Sequence, residues 1–429
     1  MIQSRFNNDF DQLLKETPKE IAIAVSGGVD SIALLHLVSS WADSSDTKLS
    51  ILSVNHNLRS EARDEICYVE KISRELGHKF FALSWDCGGT KIALQQRARQ
   101  ERYDLMSAKC CELGITTLLT AHHLDDMLET YLMRKSKKSG VFGLSYSNSF
   151  FHNNIQILRP LLNTSKAELI KYLQNRNIKW LEDISNSSDL YERNRIRKQI
   201  ALFTDAQKAE LLGEMQAGRQ RAAKLGKQLI AVMAESLQIN NYGFAKLDLK
   251  KLKNACLEIQ IQILNYIVTI ISGKTILPRF RSTRKLLSKL EFGENIKCSL
   301  HGCILKEIDG ELLVFREKAA ISVATQQLGS FQYWDNRFDI LFDEYSTGYY
   351  VDRLGFADYI AIKDQLNLDD LAKISDNNHK LILFTLPVIK NLEKVVAIPH
   401  ISYYDDFDHG AIVKIVFRPS FISRFTHFL

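Results

Sequence analysis

With 429 residues, 45% hydrophobic and 25% charged, the chain has the make-up of a globular protein too long for one ordinary core, so two or three domains are expected. Its first twenty residues are polar and its longest apolar run, Leu381 to Ile389, is broken by Pro387, which argues against a signal or membrane-spanning segment and predicts a cytoplasmic location. The net charge is +6, yet residues 331–410 hold 14 Asp/Glu against 7 Lys/Arg; the basic excess therefore lies elsewhere, a distribution that suits a polyanionic partner.

Ile21 to Val25 is a short apolar run of strand length, followed by Ser26-Gly27-Gly28-Val29-Asp30-Ser31 and an apolar helical pattern to about Trp41. Strand, tight turn and helix N-terminus together form an arrangement that holds a phosphate. Glycine lets backbone N–H groups face an anion without a Cβ in the way, and the helix dipole favours negative charge there. Ser26 and Ser31 add hydroxyls. Asp30, at the mouth of the helix, has the chemistry of a Mg²⁺ partner, with a capping role as the alternative. No Lys follows the glycines and no third Gly completes a dinucleotide fingerprint, so neither of those motifs applies.

A second strand, Leu49 to Val54, ends in Asn55-His56-Asn57-Leu58-Arg59. Asp64 to Leu76 has helical spacing, Phe80 to Trp85 reads as a strand, and Ile92 to Leu113 as a long helix carrying Arg97, Arg99 and Arg102. Thr116 to Thr120 is a fourth strand. This alternation predicts an α/β domain built on a doubly wound parallel sheet.

Next comes Ala121-His122-His123-Leu124-Asp125-Asp126-Met127-Leu128-Glu129-Thr130. A helix starting near His122 would set Asp126 and Glu129 on the face of that imidazole. Such a group can grip a cationic amine, bind metal-bound phosphate or take a proton; a solvated acidic face is the plain alternative. Arg134-Lys135-Ser136-Lys137-Lys138-Ser139-Gly140 is a basic loop of the kind that meets nucleic-acid phosphates. Ile155 to Leu161 reads as the last strand of the sheet, and Ser165-Lys166-Ala167-Glu168 is a capping box opening a helix. Arg193-Asn194-Arg195-Ile196-Arg197-Lys198 supplies further cations.

Residues 205–330 read as a mainly helical domain with basic strings at Arg219–Lys224 and Arg279–Lys285, turning toward short strands after Ile296. Residues 331–429 read as a small β-rich domain, rich in Tyr and Phe. Seven cysteines without a C-x-x-C pair suit reduced thiols rather than a zinc or iron–sulfur site.

The string from Ser26 to Ser31 resembles the pyrophosphate loop of the ATP-pyrophosphatase (PP-loop) superfamily. Within it, the chain resembles the tRNA(Ile)-lysidine synthetase family. The likeness rests on Ser26–Ser31, Val54–Arg59, Arg99–Tyr103, His122–Thr130, Arg159-Pro160-Leu161-Leu162, and Asp183-Ile184-Ser185-Asn186 followed by Arg193–Arg197. It covers roughly residues 20–200, with only loose similarity beyond.

The resemblance implies that ATP adenylates C2 of the wobble cytidine in a CAU-anticodon tRNA(Ile), and that free L-lysine then displaces AMP to give lysidine. It implies tRNA contacts by 205–330 and 331–429. It also implies ATP at Ser26, Gly27, Gly28, Val29, Asp30 and Ser31, with Mg²⁺ on Asp30, and lysine handled by Asp126 and Glu129. His122 would serve the nucleotide end, while Arg102 and one arginine of the 193–197 group, Arg195 being selected, would stabilise charge. The inserted lysines in Arg134–Gly140 depart from the family's Arg-Gly-Ser-Gly type of loop. Two alternatives stand beside this reading: an adenylating tRNA thiolase of the same superfamily, and a non-catalytic tRNA-binding protein. No protein partner is evident.

Overall fold

The computed structural model describes residues 2–14, 16–55, 62–84, 94–182, 192–274, 276–291, 296–321, 326–327, 331–341, 348–391, 394–405 and 414–418. The chain forms two compact units that divide between Ala223 and Lys224, inside a long helix.

The first unit runs α1 (Ile2–Leu13), β1 (Glu20–Ala24), α2 (Val29–Ser45), β2 (Lys48–Asn55), α3 (Ala62–Glu75), β3 (Lys79–Ser84), α4 (Leu94–Leu113) and β4 (Thr117–Leu119). It continues with α5 (Leu124–Ser136), α6 (Val141–Leu144), β5 (Ser149–His152), β6 (Ile155–Leu158), α7 (Lys166–Gln174), α8 (Glu192–Ala201) and the start of α9 (Asp205–Ser236). One sheet has the order β3-β2-β1-β4-β6-β5. Its pairings are parallel except at the β5–β6 edge. The predicted parallel α/β architecture is therefore the observed one.

β1 is central, with Ile21, Ala22 and Ile23 all fully buried. A strand covered on both faces by helices must be apolar on both, which is why this run shows no alternation. Ile21 and Ile23 pack with Ile32, Leu34 and Leu35 of α2. Ala22 faces the other way, with Leu52, Met106, Leu118 and Ile157. Each such side chain contributes on the order of 1.5–3 kcal/mol by leaving water. The strand order departs in opposite directions on either side of β1, and open α/β sheets bind ligands at such a switch point, beyond the strands' carboxyl ends. There the chain leaves β1 at Ser26 and β4 at Thr120.

Four elements of this unit were not anticipated: α1, β5, and the helices α6 and α8. α1 is polar in composition, but Phe6 and Phe10 lie one turn apart and are buried, and Phe10 meets Trp41 edge-on at 4.8 Å. β5 adds an antiparallel edge through Asn153-Asn154, both with left-handed backbone (φ 46° and 65°), the conformation that a tight hairpin requires and that Asn tolerates.

In the second unit, Leu237–Asn240, Phe244–Asp248, Glu311–Arg316, Cys303–Ile308 and Lys297–Leu300 form an antiparallel sheet in that spatial order. The helix Leu257–Ser272 packs on it. A second antiparallel sheet holds Gln326–Gln327, Tyr349–Arg353, Pro387–Asn391, Lys394–Ile398 and Tyr403–Tyr404. A third holds Phe331–Trp334, Phe338–Leu341 and Lys414–Phe417. One core unites Phe244, Leu313 and Phe315 with Trp334, Phe338, Val388 and Ile398, so residues on both sides of position 330 share it. Among the described residues, no helix is long and apolar enough to cross a membrane.

Candidate active site

Ser26, Gly27 and Gly28 bridge β1 and α2. Gly27 has φ +87°, a backbone that L side chains rarely adopt. Its carbonyl accepts a hydrogen bond from the Leu181 amide at 2.9 Å, which pins the turn to the segment before residue 183. Ser31 Oγ donates to the Gly28 carbonyl at 3.0 Å and accepts from the Ser26 amide at 3.2 Å. The two serines thus brace the loop from within. Gly28 precedes α2 with no side-chain cap, which leaves the first amides of a 17-residue helix facing the turn.

α5 begins at Leu124, two residues later than the sequence pattern suggested. His122 therefore precedes the helix, with Nδ1 3.1 Å from Thr120 Oγ1. His123 takes the buried position. Its Nε2 lies 3.5 Å from Asp30 Oδ2 and 3.4 Å from Asp126 Oδ2, and its Nδ1 lies 3.5 Å from Asp125 Oδ2. These are ionic contacts, longer than aligned hydrogen bonds. Burial pushes this ring toward the neutral form, but Asp125, Asp30 and Asp126 outweigh it and raise its pKa to about 9. His123 is therefore a cation at neutral pH that ties the first turn of α2 to the first turn of α5. Asp125 in turn accepts from the Lys166 amide at 2.7 Å. The nearby His123, against the opposing effect of burial, holds its carboxyl below the usual carboxylate range, with help from that amide.

Asp126 and Glu129 do come together. Glu129 is 1% exposed and carries two guanidinium partners. Arg193 donates from Nε to Glu129 Oε2 and from Nη2 to Asp126 Oδ1, both at 2.6 Å. Arg197 donates from Nε to Glu129 Oε1 at 2.7 Å. Arginine supplies the fixed fork that such a carboxylate pair selects. The contact is built by α5 packing on α8, through a cluster that holds Met127, Leu128, Tyr131 and Ile200.

Arg195 points elsewhere: it is exposed and lines a groove with Leu132, Lys135 and Glu192. The i, i+4 spacing of Arg193 and Arg197 is the signal that pairs them on one helix face. Nothing in a single sequence ranks His123 above His122. Arg102 sits on α4, half-buried, its guanidinium carbon 5.6 Å from the Tyr103 ring centre. Residues 56–59 and 183–186, and the side chains of Arg97 and Arg99, lie outside the described residues.

The basic segment, expected as a loop, begins inside α5, whose last turn holds Arg134–Ser136, and it is largely engaged. Arg134 donates to the Gly143 carbonyl at 2.9 Å, Lys135 pairs with Glu214 at 2.5 Å, and Lys137 with Glu192 at 2.6 Å.

Asp30 Oδ1 is buried with no hydrogen-bond partner among the described residues. Among the described residues, no group of three or more His, Cys, Asp or Glu is placed to cage a metal. A lone carboxylate oxygen beside a phosphate turn is nonetheless the donor set that Mg²⁺ accepts, since that ion completes its shell with phosphate oxygens and water. The residues present fit the ion.

A parallel sheet with a glycine turn at its switch point defines a PP-loop nucleotide-binding domain, and the sequence pattern of the PP-loop domain matches residues 2–202. Curated relatives extend the match over the whole chain. It is 44% identical to the tRNA(Ile)-lysidine synthase of Rickettsia felis (strain ATCC VR-1525 / URRWXCal2), 44% to that of Rickettsia akari (strain Hartford) and 43% to that of Rickettsia prowazekii (strain Madrid E). Each alignment covers 100% of both chains. The chain belongs to the tRNA(Ile)-lysidine synthase family and is an enzyme, a ligase. Among solved structures it is similar to the U34-tRNA thiolase NcsA from Methanococcus maripaludis with its [4Fe-4S] cluster. That match has a TM-score of 0.43 and 15% identity, covering 51% of this chain and 78% of that one. At that level it does not separate the two chemistries.

Proposed function

We propose that the chain joins free lysine to C2 of the wobble cytidine of a CAU-anticodon tRNA(Ile), at the expense of ATP. The supporting observation is that His123 links Asp30, at the glycine turn, to Asp126, which shares Arg193 with Glu129. A phosphate turn and an acidic pair, Glu129 buried and Asp126 half-buried, thus meet within one unit.

The amide-like C2 carbonyl is a poor electrophile. In the first step its oxygen bonds to the α-phosphorus of ATP, and the α–β bridging bond breaks to release pyrophosphate. The amides of Gly27 and Gly28 and the N-terminus of α2 receive the released charge. Asp30 would hold Mg²⁺, which would neutralise phosphate charge when bound. His122 orients the nucleotide end. In the second step the lysine ε-nitrogen bonds to C2 as the C2–oxygen bond breaks and AMP leaves. The ammonium proton passes to Asp126 or Glu129, because only the free amine has a lone pair to attack with. Arg102 stabilises charge on the phosphates or the cytidine.

The test is incubation with ATP, lysine and CAU-anticodon tRNA, followed by nucleoside analysis. Lysidine is expected, and its absence with properly folded protein refutes the reading. Asp126→Ala should abolish amine transfer while tRNA affinity stays within a factor of about three, since phosphate contacts dominate that affinity. A variant with undiminished transfer would remove Asp126 from the chemistry.

A further inference from the structure

The acidic pair that receives the lysine ammonium in the reading above is not vacant. Arg193 bridges Asp126 and Glu129, with both contacts at 2.6 Å, and Arg197 occupies the other Glu129 oxygen at 2.7 Å. A lysine ammonium entering the same seat must displace a guanidinium, because Glu129 is 1% exposed and both of its carboxylate oxygens already accept from Arg193 and Arg197. The arginines themselves are different: their side chains are 39% and 40% exposed, so each has room to swing out. The phosphates of ATP offer them an alternative anion of higher charge.

Resting on that reading, we infer that Arg193 is a specificity gate for lysine. It plugs the Asp126–Glu129 seat until nucleotide binds, then leaves for the phosphates and admits the amine. Exchange of one cation for another keeps the charge of the seat balanced, so an unpaired buried carboxylate is never exposed to the apolar core. The device makes lysine binding conditional on nucleotide, as a coupling free energy between two sites.

The test is calorimetric titration of lysine into the full-length chain, alone and saturated with Mg²⁺ and an ATP analogue carrying a methylene bridge between its α- and β-phosphates. In the unaltered chain the analogue should tighten lysine binding at least tenfold. Arg193→Met should bind lysine at least tenfold more tightly than the unaltered chain when no nucleotide is present, and should lose most of the analogue's effect. Equal lysine affinity with and without analogue overturns the gate, as does an Arg193→Met chain that gains nothing. Should that variant fail to fold, the comparison on the unaltered chain decides alone. Glu129→Gln separates the two layers of the argument. If it binds lysine as tightly as the unaltered chain, the seat itself is misassigned, which is a failure distinct from a seat that is real but ungated.

Discussion

Gly27 and Gly28 are adjacent and chemically identical, but the structure loads them differently. Gly27 has φ +87°, and a Cβ there would stand 3.0 Å from Leu181 Cδ1. Gly28 has φ −73°, and a Cβ there would meet only Ser26 Oγ at 3.9 Å. Gly27→Ala should therefore cost about 1–2 kcal/mol of stability, the usual penalty for a left-handed non-glycine residue, read as a lower midpoint in urea unfolding. Gly28→Ala should leave that midpoint within about 0.5 kcal/mol while weakening ATP binding, if the proposed turn holds the phosphates, because its methyl group would intrude only into that turn. A Gly28→Ala chain with normal ATP affinity would show that the turn does not hold the nucleotide. At this scale the sequence was readable in part. Asp126 and Glu129 could be picked out by spacing and chemistry. The i, i+4 spacing pairs Arg193 with Arg197 and leaves Arg195 apart once the segment is helical, but which face turns to α5 was not readable.

Helix termini decide how the site elements are set. The capping box opening α7 is present as its sequence implied: Ser165 Oγ accepts from the Glu168 amide at 3.3 Å, and Glu168 Oε2 accepts from the Ser165 amide at 2.8 Å. Ser165→Ala should cost about 1 kcal/mol, seen in the same unfolding measurement; no change would mean that Asp125 on the Lys166 amide already secures this end. α5 is capped by chemistry that the sequence hid. The His123 amide donates to Asp126 Oδ2 at 3.3 Å, so one carboxylate serves the helix start, the buried imidazole and Arg193. Histidine is no standard capping residue, and this start became visible only once the acids around it were in place.

At the scale of the whole molecule, a neutral imidazole buried outside the active site adds to the response to acid. In the second unit His400 has both ring nitrogens shut from solvent, with Phe338 edge-on at 5.2 Å and Tyr242 at 5.9 Å. Burial, reinforced by the charge of Arg337, pushes its pKa down to about 4 from 6.5. The unfolded chain then binds a proton that the folded chain refuses between those values. Stability is thus full above pH 6.5 and falls as the pH drops toward 4, by at most about 3 kcal/mol. Thermal unfolding across that range should show the loss, and His400→Gln should flatten it. An equally steep profile in the variant would assign the acid sensitivity to other groups.

The sequence by itself determined the central strand, the glycine turn, the parallel sheet and the acidic pair on α5. Each rests on local rules: an apolar run buried on two faces, a residue free to take positive φ, a helical period that aligns carboxylates. Tertiary structure alone decided that His123 is the buried imidazole, that Arg193 and Arg197 fill the acidic seat, and that residues on both sides of position 330 share a core. Those outcomes depend on which faces of distant segments meet, and the energy of a buried charge is fixed by neighbours far away in the chain rather than by the residues beside it.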